Sequence, residues 1–112
     1  MTKEQFEFIT QWQKETFGEA TALSKINHLI LEVDELKEEL LNQQGREQLF
    51  KEAGVSLERE YADCFLLLFG SAAANGMSYE DICNCIDEKM EINKKRKWGK
   101  PQANGVVNHI KE

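Results

Sequence analysis

The stretch that decides the fold runs from residue 24 to residue 40 and reads SKINHLILEVDELKEEL. Its apolar residues recur every three or four positions, as on one broad face of an amphipathic helix: Ile26, Leu29, Ile30, Val33, Leu36 and Leu40. A polar stripe lies beside that face and contains His28, Glu32, Glu35 and Glu39. We expect the helix to begin with Ser24 as its cap. Taken alone, the acidic stripe is equally typical of an ordinary solvated face.

A second acidic pair, Glu60-x-x-Asp63, opens another helical segment. In each pair the two carboxylates are i and i+3 neighbours, so they share one helix face. From Tyr61 to Ala74 the segment is apolar nearly all round, which predicts a buried helix. Acidic side chains there are costly unless a salt bridge to Lys or Arg, or a bound cation, balances them. If the two helices are antiparallel, the carboxylates converge, and such oxygen ligands suit Mg²⁺ or Mn²⁺. The candidate metal ligands and catalytic residues are Glu32, Glu35, Glu60 and Asp63.

Capping residues and glycines predict the other helix boundaries. A capping box at Thr2 opens a first helix that ends near Phe17-Gly18. Residues 42–56 are predicted to form a joint with at most one short helix, over Glu47 to Ala53, and Ser56 is expected to cap the third helix.

The last predicted helix follows a break at Asn75-Gly76 and is capped by Ser78, with Asp81 three residues on. No strand is expected anywhere in the chain. The fold class predicted is therefore all-α: an antiparallel four-helix bundle with a short C-terminal tail, forming one domain over residues 1–112.

The charge distribution narrows the class of ligand. The chain has 112 residues and a net charge of −6, which argues against a general nucleic-acid binder. The region from Lys89 to Lys100 nevertheless carries six basic residues and one acidic residue. A negative body with one positive segment suits a metal–polyanion ligand, although a basic helix end also complements the helix dipole.

Cysteine usage indicates the compartment. The three cysteines, Cys64, Cys83 and Cys85, make no disulfide framework, and the N-terminus does not resemble a signal peptide, so we expect a cytoplasmic protein. The longest apolar run, from Cys64 to Phe69, is too short to span a bilayer.

The fourth helix carries a face that changes character along its length. Ile82 and Ile86 begin this stripe and are predicted to be core residues, and three polar donors continue it: Lys89, Asn93 and Arg96. A buried face that turns from apolar to donor-bearing indicates contact with a polar ligand. Basic side chains that snorkel at a helix end are the alternative explanation.

The combined pattern resembles the MazG-like all-α nucleoside triphosphate pyrophosphohydrolases. The Glu-x-x-Glu and Glu-x-x-Asp pairs carry the resemblance, and the ending is similar to that of the small phage and bacterial dATP/dGTP diphosphohydrolases. The matching residues outside the carboxylates are Trp12-Gln13, Phe17-Gly18, Lys25, His28, Lys89, Asn93, Arg96, Trp98-Gly99 and His109-Ile110.

The resemblance implies hydrolysis of a deoxynucleoside triphosphate, favoured as dGTP or dATP, between the α and β phosphates. Bound Mg²⁺ or Mn²⁺ would neutralise the phosphates and lower the pKa of a water, and one carboxylate is a candidate general base. The candidate substrate-binding residues are Lys89, Asn93, Arg96, Lys25, His28, Trp12 and Trp98. Either Trp can stack on a base, or simply pack in the core or an interface.

Two other classes of function remain open at this point. The same carboxylate pattern serves all-α dUTPases and phosphoribosyl-ATP pyrophosphohydrolases. A non-enzymatic helical interaction protein, with merely solvated acidic faces, is the alternative from a different class.

The apolar third helix also predicts self-association. Within one protomer of this size only part of its circumference can be covered, and an uncovered apolar face favours association. We expect a homodimer or homotetramer, with no membrane or stable nucleic-acid partner.

Overall fold

The computed structural model describes the backbone of residues 1–52 and 57–111 and the side chains of residues 1–42 and 57–111. The described ranges contain α1 (Lys3–Thr16), α2 (Ala22–Glu52), α3 (Leu57–Ala74) and α4 (Tyr79–Lys95), followed by two short strands, β1 (Lys97–Trp98) and β2 (His109–Ile110). The predicted all-α class is confirmed. The chain divides into two compact units, Met1–Tyr79 and Glu80–Glu112. In the described part of the chain, no helix has the length and apolar character needed to cross a membrane.

Helix α1 has the predicted boundaries. The Gln5 backbone N–H donates to Thr2 Oγ1 at 3.1 Å, which satisfies one of the free N–H groups of the first turn. The helix ends at Thr16 and is capped by Phe17, whose backbone N–H donates to the Gln13 carbonyl at 2.7 Å. Its inner face buries Phe6 and Gln13.

The predicted boundaries of the second helix are wrong at both ends. Thr21 caps α2, because Thr21 N–H donates to Ser24 Oγ at 2.8 Å and Ser24 N–H donates to Thr21 Oγ1 at 3.0 Å. Ser24 is thus the reciprocal partner in the first turn rather than the cap. The predicted joint is also wrong over residues 42–52, because α2 continues through Gly45 to Glu52, and residues 53–56 lie outside the described range. An interior glycine costs about 1 kcal/mol, which the good helix formers around it offset. Ser56 lies outside the described residues.

Helices α2 and α3 are antiparallel neighbours. Ser71, near the end of α3, donates from Oγ to the Ala22 carbonyl at the start of α2 at 2.8 Å. Glu60, near the start of α3, lies with Glu32 further along α2. Helix α1 joins them through the edge-to-face pair of Phe6 and Phe69, whose ring centroids are 6.2 Å apart.

Helix α3 is only partly buried within the single chain, as expected for one protomer of this size. Phe65 is 56% exposed and Leu68 is 49% exposed. The residues of α3 that are buried are Gly70 and Ser71. Helices α1 and α2 pack against α3, and part of its apolar circumference remains exposed.

The turn after α3 is a Schellman motif. Met77 N–H donates to the Ala72 carbonyl at 3.0 Å, and Gly76 N–H donates to the Ala73 carbonyl at 2.9 Å. Gly76 has φ +92° and so adopts the left-handed conformation that this motif requires. The predicted break at Asn75-Gly76 therefore ends α3, and α4 begins directly after Ser78.

The unit that begins at Glu80 contains most of α4 and an unpredicted β-hairpin. Strands β1 and β2 are antiparallel, with Lys97 opposite Ile110 and Trp98 opposite His109. The prediction of no strands is therefore wrong. Each strand has only two residues, which are too few to show an alternating pattern in the sequence. Ile86, predicted as core, is 55% exposed.

Candidate active site

Three carboxylates from α2 and α3 converge. Glu32, Glu60 and Asp63 each offer an oxygen that lies within 4.8 Å of the oxygens offered by the other two. Glu60 and Asp63 are i and i+3 on α3, and the antiparallel packing brings that face against Glu32 of α2. Three such oxygens are hard ligands of the type that Mg²⁺ and Mn²⁺ favour.

Mutual repulsion among the carboxylates raises the pKa of Glu60. Its pKa lies above the ordinary value, first because of the charge of Glu39, then because of desolvation, and then because of Asp63, Glu32 and Glu35. The described residues therefore place too much negative charge at this point for every carboxylate to ionise freely. A divalent cation would remove that repulsion.

Glu35 takes a different position from the other predicted ligands. It is exposed and lies outside the set of three whose oxygens converge. Its charge still raises the pKa of Glu60. The structure thus brings three of the four candidate ligands together and leaves Glu35 at the edge of the cluster.

Glu39 is a member of the acidic site to which sequence analysis gave no role. One of its oxygens, Oε2, is fully buried and has no hydrogen-bond partner within the described part of the chain. Leaving a buried carboxylate oxygen unpaired is costly, so this atom also fits a bound cation. The signal was present in the sequence, because Glu39 follows Glu32 by two helical turns on the same stripe.

His28 contacts the cluster from one turn earlier on α2. Its Nε2 lies 3.3 Å from Glu32 Oε1, so a protonated or Nε2–H imidazole donates to that carboxylate. The remaining oxygen of Glu32 stays available to a ligand. His28 therefore orients one of the three converging carboxylates.

Lys25, another turn earlier, is buried without a carboxylate partner among the described side chains. Its Nζ lies 3.4 Å from Gln13 Oε1 and 5.8 Å from the centroid of the Phe17 ring. A neutral amide and an aromatic face solvate this ammonium group only in part. The ammonium group of Lys25 is thus buried and can still donate hydrogen bonds to a ligand.

Two cavities meet at Lys25. The larger has a volume of about 410 Å³ and lies between α1 and α3, with Gln13, Phe17, Lys25 and Gly70 in its wall. The smaller has a volume of about 180 Å³ and extends from Lys25 to His28. His28 therefore lines the smaller cavity and also contacts Glu32 of the carboxylate cluster.

The predicted stacking residue on α1 packs against its own helix end. Trp12 and Phe17 form an edge-to-face pair with ring centroids 5.6 Å apart, and Trp12 remains 51% exposed. One aromatic surface therefore remains accessible beside the larger cavity.

The remaining candidate residues belong to the second unit. Lys89 is exposed, and Asn93 and Arg96 are half-buried. Trp98 Nε1–H donates to the Asn93 carbonyl at 3.0 Å, and the Trp98 ring meets His109 edge to face at 6.1 Å. The hairpin thus fixes Trp98 against the end of α4.

Cys64 lies beside the acidic cluster but is not suited to nucleophilic chemistry. Burial raises its pKa, and the charges of Glu32, Asp63 and Glu60 raise it further. Its thiol therefore stays protonated, whereas a nucleophilic cysteine needs a lowered pKa.

The fold defines the class of protein to which this chain is similar. The structure of the cyanophage S-2L MazG-like pyrophosphohydrolase, bound to dGDP and three catalytic Mn²⁺ ions per active site, superposes with a TM-score of 0.72. The alignment covers 99% of each chain at 23% sequence identity. The fold is therefore that of the MazG-like pyrophosphohydrolases, as the sequence resemblance implied.

The sequence narrows the class to one family. Residues 5–112 match the dATP/dGTP pyrophosphohydrolase family, and the chain belongs to it. A curated relative, the Eaa protein of Salmonella phage P22, is 42% identical over 53 residues, which make up 47% of this chain. That match spans only 17% of the Eaa protein.

Proposed function

We propose that this chain is a metal-dependent nucleoside triphosphate pyrophosphohydrolase that converts dGTP or dATP into the monophosphate and pyrophosphate. The observation that carries the proposal is the convergence of Glu32, Glu60 and Asp63 from antiparallel helices. Membership of the dATP/dGTP pyrophosphohydrolase family supports the substrate class. The nucleotide and Mn²⁺ bound by the cyanophage relative support the same chemistry.

The acidic site fits Mg²⁺ or Mn²⁺ as its cofactor. Glu32, Glu60 and Asp63 supply converging oxygens, Glu35 lies at the edge, and Glu39 Oε2 is buried without a hydrogen-bond partner among the described residues. The chemistry supplied by such ions is Lewis-acid neutralisation of phosphate oxygens and a lowered pKa for a bound water. A carboxylate of the cluster that is not saturated as a ligand would accept the proton of the attacking water.

The other candidate residues would bind the substrate. Lys89, Asn93 and Arg96 are the proposed phosphate donors, because charge-assisted hydrogen bonds hold phosphates strongly. His28 would keep Glu32 oriented. Lys25, with Trp12 and Trp98, would hold the nucleoside end.

We also propose that the active form is a homodimer or homotetramer built on α3. Phe65 and Leu68 leave an apolar face exposed on the helix that carries Glu60 and Asp63. A second copy of the chain would cover this face. The family match runs across both compact units, which supports one catalytic domain over residues 1–112. The three free cysteines support a reducing, cytoplasmic setting.

The experiment that tests the proposal is a nucleotide panel with product identification. Purified protein would be incubated with each of the dNTPs, with dUTP and with phosphoribosyl-ATP, in Mg²⁺, Mn²⁺ or EDTA. The expected result is metal-dependent release of pyrophosphate, and not orthophosphate, from dGTP or dATP. Turnover confined to dUTP or phosphoribosyl-ATP would assign the chain to one of those activities. No turnover of any nucleotide with either metal would overturn the enzymatic proposal.

A further inference from the structure

Gly70 and Gln13 make an unusual contact between α1 and α3. Gln13 Nε2–H donates to the Leu66 carbonyl at 3.0 Å, within the body of α3. A Cβ at position 70 would lie 1.9 Å from Gln13 Oε1 and 2.9 Å from Gln13 Cδ. The Gln13 amide therefore occupies the space that any side chain at position 70 would fill.

This contact fixes the direction of the Gln13 amide. With its N–H group bound to α3, its oxygen faces Lys25, whose Nζ is 3.4 Å away. An ammonium group has three N–H donors. Within the described residues, Gln13 accepts from one of them and no carboxylate accepts from the others. The arrangement of Gly70, Gln13 and Lys25 thus presents a sheltered cation with donor capacity left over.

The surroundings of this cation suit the edge of an aromatic base. The larger cavity has a volume of about 410 Å³ and combines the Phe17 ring with Ala73 and Ala74, and small-molecule sites are commonly about 300–1,000 Å³. Thr10, Gln11 and Lys14 also line this cavity, so it joins a flat aromatic face to polar groups, as a site for a polar heterocycle does.

The position along α2 also favours the base over the phosphates. At a rise of 1.5 Å per residue, Lys25 lies about 10 Å from Glu32 along the helix axis. A nucleotide whose phosphates lie at the carboxylate cluster extends its base to such a distance. The smaller cavity runs from Lys25 to His28, which lies on the side toward Glu32.

We propose that Lys25, positioned by Gln13 and by the absence of a side chain at Gly70, donates to O6 and N7 of a guanine and makes dGTP the preferred purine substrate. Guanine offers two adjacent acceptors on this edge, whereas adenine offers N7 beside an N6 amino donor. The inference rests on the proposed function and adds the base that the site selects.

The test compares kcat/KM for dGTP, dITP and dATP in the wild type and in Lys25→Met. Hypoxanthine in dITP retains O6 and N7, so wild-type protein should favour dGTP and dITP over dATP. Lys25→Met should lower kcat/KM for dGTP and dITP about 10- to 100-fold, as expected for loss of a bidentate base contact. Its effect on dATP should be several-fold smaller. Lys37→Met removes the same charge from an exposed position of α2 and is the matched control.

Gly70→Ala tests the positioning without changing any charge in the cavity. The side chain of Gln13 is flexible at its far end, so it can swing away and let the protein fold. Gly70→Ala should lower the ratio of dGTP to dATP turnover in the same direction as Lys25→Met. Direct titration of dGMP and dAMP should show the same loss of preference in binding.

The possible results distinguish a failure of this inference from a failure of the proposed function. An equal loss for dGTP, dITP and dATP, together with weaker binding of pyrophosphate, would make Lys25 a phosphate contact and overturn the inference. Unchanged selectivity in both variants would overturn it as well. Wild-type protein that releases pyrophosphate from none of the three nucleotides would instead overturn the proposed function. If Lys25→Met fails to fold, Gly70→Ala and the monophosphate titration decide the question.

Discussion

His28 and Glu32 are paired one helical turn apart on α2, with Nε2 and Oε1 separated by 3.3 Å. The pair is half open to solvent, since the His28 side chain is 60% exposed and that of Glu32 is 21% exposed. Exposed ion pairs contribute at most about 1 kcal/mol to folding. The value of the contact therefore lies in holding Glu32 toward Asp63 and Glu60.

A His28 variant should lose metal affinity rather than stability. We expect His28→Ala to weaken Mn²⁺ binding by about 10-fold, at the low end of what supporting contacts to metal ligands contribute. The melting temperature of the metal-free protein should change little. Titration calorimetry with Mn²⁺ measures the first effect and a thermal melt the second. A large fall in melting temperature with unchanged Mn²⁺ affinity would show that His28 is structural.

Removing one charge from the cluster should stabilise the metal-free protein and abolish its response to metal. Glu60→Gln and Asp63→Asn should raise the melting midpoint in EDTA, because they relieve repulsion around Glu60. Each should lower turnover by about 100-fold or more, comparable with loss of a transition-state charge contact. Wild-type protein should gain stability from Mg²⁺ or Mn²⁺ by mass action.

Two further variants make this experiment specific. Glu38→Gln removes an equivalent charge from an exposed position of α2 and should behave as wild type. Glu35→Gln tests whether the carboxylate at the edge of the cluster is needed for turnover. Wild-type rates in both Glu60→Gln and Asp63→Asn would contradict the proposed active site.

The stability of the metal-free protein should fall as the pH rises through the acidic range. The pKa of Glu60 in the folded chain lies above its ordinary value of 4.5, so the folded state retains a proton that the unfolded chain has released. The corresponding stability is complete below about pH 4.5 and is lost as the pH rises through the folded pKa. Urea unfolding in EDTA at a series of pH values measures the trend.

Bound metal should reverse that trend, because metal competes with protons for the carboxylates. Saturating Mn²⁺ should therefore raise stability increasingly as the pH rises. Glu60→Gln should flatten the metal-free curve relative to wild type. If the two proteins had the same pH dependence in EDTA, repulsion at Glu60 would not be its cause.

The exposed face of α3 should be an interface between copies of the chain. Phe65→Glu or Leu68→Glu should dissociate the assembly and lower activity together, because a charge placed in an apolar interface is desolvated without a partner. Leu23→Glu, at an exposed position of α2, is the matched control. Sedimentation and turnover would be measured on the same samples. A fully active wild-type monomer of 12.9 kDa would refute the interface.

Two substitutions of Gly76, in the turn between α3 and α4, should differ in how much they destabilise the protein. A Cβ there meets nothing within 4 Å, so any cost comes from φ +92° alone. Gly76→Ala should destabilise the protein by about 1–2 kcal/mol, and Gly76→Asn by less, since Asn tolerates this conformation. Urea denaturation measures both variants. Equal stability of Ala and Asn would contradict a purely conformational cost.

Sequence patterns predicted those parts of the fold that depend on local rules. Thr2 marks the start of α1, Gly76 ends α3, and the spacing of acidic residues places Glu32, Glu60 and Asp63 on facing stripes. At the start of α2, however, Thr21 and Ser24 are both good caps, and only the reciprocal hydrogen bonds decide between them. Gly45 favours a helix break on its own propensity, but the helix continues there because continuation also depends on the neighbouring residues.

Other features arise only when helices pack. The burial of Glu39 Oε2 arises from packing between elements, and periodicity gives no measure of it. The contact of Gln13 with Gly70 joins residues far apart in the chain. The hairpin at Trp98 depends on two-residue strands, whose pattern is too short to recognise.

The small hydrophobic core of the single chain should make activity depend on protein concentration. Among the apolar side chains of the described residues, Phe6 and Leu36 are the buried ones. If association supplies the missing burial, dilution favours dissociation and each molecule becomes less active as the protein becomes scarcer. The total rate of nucleotide hydrolysis would then rise more steeply than the protein concentration. The rate of protein synthesis would thus set a concentration threshold below which little nucleotide is hydrolysed. A measurement of specific activity over a wide range of enzyme concentrations would reveal that threshold.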